Sequence, residues 1–189
     1  MLHVLNGDAT LQVFQQACLP GDVLVWRDIL AEGPAAPPAV RAPYLAELLG
    51  AAVRCHLARF PSVGRGVNEV EEAILSALAD GPLPFSPLWR RVSRDARVRA
   101  HGMGDVQFAA HLRELAAGAG ALLALEGDAR AFASWRPALT ALGRDVLARR
   151  RDWLALHPLH RWLGGVHLHP EGTAWRWDAA CGRLVGDAR

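Results

Sequence analysis

Two short apolar runs near the amino terminus, each stopping at an aspartate, constrain this chain more than any other feature. Leu2-His-Val-Leu5 leads into Asn6-Gly7-Asp8, and Val23-Leu-Val-Trp26 leads into Arg27-Asp28, with about one helix of sequence between them. Runs this short and apolar read as parallel strands buried on both faces, and Leu11, Phe14 and Cys18 repeat between them at helical spacing. Leu19-Pro20-Gly21-Asp22 ends that helix, because proline cannot continue it and glycine permits the reversal. The expectation is a small Rossmann-like βαβ unit with a right-handed crossover. Asn6, Gly7, Asp8, Arg27, Asp28 and Glu32 then gather at the carboxyl ends of the strands, where open α/β sheets bind ligands, and they are the candidate ligand-binding residues. The competing reading has Asp8 capping the helix, with Arg27 and Asp28 merely solvated or paired. Neither Gly-x-Gly-x-x-Gly nor a phosphate loop is present, so the sequence leaves the cofactor unknown.

The remaining bounds are broad. At 189 residues and 51% hydrophobic content the chain suits one large or two small domains with a real core. No apolar run reaches membrane-span length, and the amino terminus lacks the basic and apolar regions of a signal peptide, so a soluble cytoplasmic protein with no membrane partner is expected. Cys18, Cys55 and Cys181 are odd in number and far apart, which suggests neither a disulfide framework nor a zinc cluster. The net charge of +2 conceals a gradient: residues 51 to 151 carry fifteen arginines against ten acids, whereas residues 1 to 50 carry two against five. All 21 basic residues are arginine, a bias better attributed to codon usage than to arginine chemistry.

Breaks at Gly33–Pro38 and Pro61–Gly66 flank an amphipathic stretch, Arg41 to Phe60, that reads as a helix interrupted by Gly50. Residues 1–60 therefore form the Rossmann-like module with a bridging helix. In residues 61–151, Asn68 with Glu71 is a capping box opening a first helix, and Ser86 with Pro87 starts a second. Asp105 is expected to cap a third helix that buries Phe108, Leu112 and Leu115. Leu122 to Leu125 and Ala129 to Ala133 make a hairpin around Glu126-Gly127-Asp128, and Thr140 opens a closing helix. This order describes a winged helix-turn-helix-like middle. Its third helix would offer Gln107, His111 and Arg113 to a major groove, with Arg90, Arg91 and Arg94 holding phosphates as a candidate nucleic-acid interface. Glu114 on the same helix and a modest charge excess favour docking to protein instead.

Residues 152–189 read as a helix followed by one β-hairpin, Val166 to Asp178, turning at Pro170-Glu171-Gly172. His157, His160, His167 and His169 lie close together in this stretch. No acidic or thiolate ligand joins them at a telling interval, so no metal site is assigned. The fold class is thus α/β in the opening and α+β overall.

Asn6-Gly-Asp8 with Leu19 to Pro34 resembles the bacterial domain-of-unknown-function 1835 family. Phe60-Pro-Ser62, Met103-Gly-Asp105, Leu139-Thr-x-x-Gly-Arg144, Arg161 to Leu168 and Trp175-Arg-Trp-Asp178 resemble the remainder of the same proteins. The resemblance implies no established activity. It does imply an internally shortened member, since Tyr44 to Arg59 stands where the family carries a longer stretch. A two-stranded parallel sheet cannot bury both its faces, so the carboxy-terminal hairpin, a protein partner or a second copy of the chain is expected to complete it. Two functions follow. The first is a regulatory or adaptor protein coupling a ligand-binding Rossmann-like module to a winged-helix module. The alternative is an enzyme, or a degenerate one, using Asp8, Asp28 and Glu32 as strand-end carboxylates on a small or nucleotide-like substrate.

Overall fold

The computed structural model describes residues 50–157, 159–163 and 166–187. The βαβ opening, its six candidate ligand-binding residues, its three candidate enzymic carboxylates and the Gly33–Pro38 break lie outside the described residues. What is described is a mixed α and β chain with small antiparallel sheets. It divides into two units, Pro61–Pro158 and a second formed from Met1–Phe60 with Leu159–Arg189.

The Pro61–Pro158 unit begins with a tight loop. Gly66 has φ +71°, and a Cβ there would run into Asp152 and the backbone of Leu154, so only glycine lets this loop approach so closely. Helix α1, Glu69–Ala77, follows. Asn68 Oδ1 accepts the Glu71 N–H at 2.9 Å while Glu71 Oε2 accepts the Asn68 N–H at 2.8 Å, so the expected capping box is present in both halves. Helix α2, Phe85–Ser93, starts before Ser86 and has no side-chain cap. Its first N–H, on Phe85, instead donates to the Trp135 carbonyl at 2.8 Å, a bond to a distant segment that removes the need for a capping serine. A short helix that sequence reading missed, α3 (Ala96–Ala100), is capped by Asp95, whose Oδ1 accepts the Arg97 N–H.

Helix α4, Asp105–Leu115, carries Phe108, Ala109, Leu112 and Leu115 on its buried side. Asp105 is not its cap. Gly104 holds that position, and Gln107 reaches back to accept the Gly104 N–H at 2.8 Å. Strands β1 (Leu123–Glu126) and β2 (Arg136–Leu139) pair antiparallel, Leu123 opposite Leu139 and Glu126 opposite Arg136. The expected return strand at Ala129 to Ala133 is therefore displaced: those residues belong to the connecting loop, which contains the 3-10 turn Phe132–Ser134. On the other side of β2, the N–H groups of Leu83 and Phe85 donate to the carbonyls of Pro137 and Trp135. Thr140 caps α5 (Ala141–Leu147) by accepting the Gly143 N–H, as expected. Helix α6, Trp153–Leu156, closes the unit. Phe108, Leu88, Leu112, Leu115, Leu122 and Trp153 are fully buried and form its core.

In the second unit, residues 50–57 are helical and include Gly50, which was expected to interrupt the helix. The carboxy-terminal part holds two hairpins rather than one. Strands β3 (Arg161–Leu163) and β4 (Val166–Leu168) pair with each other, as do β5 (Ala174–Asp178) and β6 (Arg183–Asp187). The expected Val166–Asp178 hairpin is thus corrected: Pro170-Glu171-Gly172 connects two hairpins instead of turning one.

Candidate functional site

The described candidate site residues are the six of the Pro61–Pro158 unit, and helix spacing divides α4 between them. Phe108, Leu112 and Leu115 lie at intervals of four and three on its buried face, which leaves Val106, Gln107, Ala110 and Arg113 outward. Val106 is 65% exposed. Gln107 is exposed but already engaged, its Oε1 holding the Gly104 N–H. The Arg113 guanidinium sits 4.9 Å over the Trp135 ring, where cation–π attraction holds it. Trp135 is in turn fixed by its Nε1–H donating to the Asp128 carbonyl at 2.8 Å. This contact ties the outward face of α4 to the loop between β1 and β2.

His111 occupies a different place from the one its spacing suggested. It is half-buried, and its Nδ1 points at Glu71 Oε1 on α1, 3.7 Å away. The Glu71 carboxyl is almost completely enclosed, with 2% of its side chain exposed. Glu114, one turn beyond His111, completes a group whose ligand atoms all lie within 4.8 Å of one another. These three residues could hold a metal ion. Sequence reading missed them because Glu71 and His111 are forty positions apart and Glu71 was fully accounted for by its capping role. A His-x-x-Glu pair on one helix face, His111 with Glu114, was the available signal.

The expected phosphate-holding arginines separate by their neighbours. Arg91 pairs with Asp80 at 3.4 Å across an exposed surface. Arg90 on α2 and Arg94 at its C-cap are exposed, with no ion pair among the described residues. Arg97, on α3, grips Asp95 at 2.8 Å, and that hydrogen bond holds the Asp95 carboxyl below its ordinary pKa and raises that of the guanidinium. His101 Nε2 lies 3.1 Å from Glu69 Oε2, a second imidazole and carboxylate contact to the first turn of α1.

The four histidines of the carboxy-terminal stretch each lie against other rings of their own unit. His157 stacks on Trp153, with ring centroids 4.6 Å apart. His167 lies flat on Trp162, centroids 4.5 Å apart and planes 4° from parallel, and tilts against His169 and His160. Cys55 is half-buried and Cys181 is exposed.

No family model, curated protein or solved structure matches this chain.

Proposed function

We propose that the chain is a regulatory or adaptor protein whose Pro61–Pro158 unit is a winged helix-turn-helix module that docks through the outward face of α4. One observation carries this reading: residues 83 to 85 run along the free edge of β2, bonded through Leu83 and Phe85. With them the order becomes helix, edge strand, helix, helix, hairpin, with α3 as a short addition between the second and third main helices. The loop between β1 and β2 is the wing, and α4 is the helix such modules present to a partner. Asn6, Gly7, Asp8, Arg27, Asp28 and Glu32 supply the ligand-sensing half.

The chemistry of α4 favours a protein partner. Val106 and Ala110 are exposed and apolar or small, Gln107 and Arg113 are already engaged within the unit, and the exposed Asp105 would face phosphates unfavourably. Nucleic acid is the second reading, favoured by the exposed Arg90 and Arg94, which make no ion pair among the described residues. A gel shift with duplex DNA at about 50 and 200 mM salt separates the two, since phosphate contacts weaken steeply across that range. The protein reading expects no retardation at either salt, and expects a partner that co-purifies with the full chain but not with Val106→Glu of equal melting temperature. Retardation at low salt that disappears in Arg90→Ala/Arg94→Ala would replace it with the nucleic-acid reading.

A further inference from the structure

We propose that Glu71, His111 and Glu114 bind one divalent metal ion of the zinc and cobalt class, clasping the first turn of α1 to α4. The site stands on its own geometry and does not depend on the winged-helix reading.

The separation of Glu71 Oε1 from His111 Nδ1 is the first argument. At 3.7 Å it is too long for a hydrogen bond. Two ligands on one tetrahedral ion, each at 2.0–2.2 Å from it, stand about 3.4 Å apart, so a small contraction would bring this pair onto a shared metal. The second argument is the imidazole nitrogen itself. His111 Nδ1 is buried and has no hydrogen-bond partner among the described residues, a costly state for a polar atom that a coordinate bond would relieve. The third is the Glu71 carboxyl itself, an enclosed oxygen ligand with 2% of its side chain exposed. Its other oxygen already accepts the Asn68 N–H, so the capping box aims Oε1 at the site.

Glu114 supplies the remaining ligand. It lies three residues after His111, on the same face of α4, and its carboxylate completes the group within 4.8 Å. One imidazole and two carboxylates form a mixed nitrogen and oxygen set without thiolate. That set suits zinc or cobalt, is too hard for cuprous copper and offers too few oxygens for calcium. Three protein ligands leave a position for water. The ion would fix α4 against α1 and so set the orientation of the face bearing Val106 and Arg113.

The test titrates cobalt and then zinc into the full chain after treatment with chelator, following visible cobalt absorption and calorimetric heat. One equivalent is expected to bind. Glu71→Gln retains a side chain able to close the capping box and so keeps the fold, yet it should weaken binding at least about tenfold, as should His111→Ala. Zinc should raise the melting temperature of the natural sequence and not that of Glu71→Gln. His167→Ala, which alters the histidine group near Trp162, should bind normally. The proposal is overturned if no cobalt binds, in which case Glu71 and His111 are an ion pair only. It is equally overturned by binding that survives both site variants or is abolished by His167→Ala.

Discussion

Trp135 and Trp153 of the Pro61–Pro158 unit and Trp162 of the second unit are held in opposite ways. In Pro61–Pro158, Trp153 and Trp135 are buried and their ring N–H groups donate to the carbonyls of Gly120 and Asp128. Around Trp135, Phe85, Phe108 and Phe132 meet at interplanar angles of 53° to 69°, the edge and tilted contacts of a three-dimensional core. In the carboxy-terminal hairpins, Trp162 is 68% exposed and lies flat on its cross-strand partner His167. The difference follows from layers. Helices α1, α2, α4 and α5 can cover an indole on several sides, whereas a hairpin with three-residue strands offers it only the residue across the ladder.

Truncation should therefore cost very different amounts in the two places. Phe108→Ala removes a fully buried ring from among Phe85 and Trp89, a loss of about 3–5 kcal/mol. Thermal denaturation should show melting lowered by more than about 12 °C, or no cooperative transition. Trp162→Ala should change stability by no more than about 0.5 kcal/mol. Comparable losses at both positions would contradict the contrast.

The same contrast explains what could be read from sequence. Asn68 with Glu71 and Thr140 were legible because caps act within four residues of chain. The return strand of the first hairpin was not, because Arg136-Pro137-Ala138-Leu139 contains a proline, which ordinarily argues against a strand. The N and carbonyl of one strand residue point to the same side. Pro137 gives its carbonyl to the Leu83 N–H, so its missing donor falls on that outer side and leaves the β1 ladder whole. Ser86 failed as a cap for a related reason: a carbonyl fifty residues away, on Trp135, satisfies the first N–H of α2, that of Phe85. The Glu71, His111 and Glu114 group was illegible for the same cause. Local signals reveal elements, while the contacts that join α1 to α4 depend on packing that no window of sequence contains.

A gain of stability is available where the first unit violates a local rule. Helix α5 is followed, one residue past its C-cap Ala148, by Arg149 at φ 59°, the left-handed conformation that a side chain resists. Its N–H donates to the Val146 carbonyl and that of Arg150 to Asp145, the paired bonds of a Schellman motif in which glycine is the favoured residue. Arg149→Gly should raise stability by about 1 kcal/mol, seen as melting about 4–8 °C higher. Unchanged or lower melting would mean that the arginine side chain contributes as much as its backbone strain costs.

The smallest expected effect lies in the second unit and is read against pH. His56, half-buried beside Phe60, has its pKa pulled below the ordinary 6.5, chiefly by burial and further by the Arg59 charge. The unfolded chain therefore binds a proton at higher pH than the folded one. Stability from this residue is complete above about pH 6.5, falls as the pH drops toward the lowered folded value, and is constant below it. Melting should accordingly be lower at pH 5 than at pH 7.5, and His56→Gln should shrink that difference. Histidines 101 and 111 face carboxylates on α1 in the other unit and are untouched by this substitution, so the part of the pH dependence that disappears belongs to His56. An undiminished difference in the variant would show that the acid-side loss comes from groups other than His56.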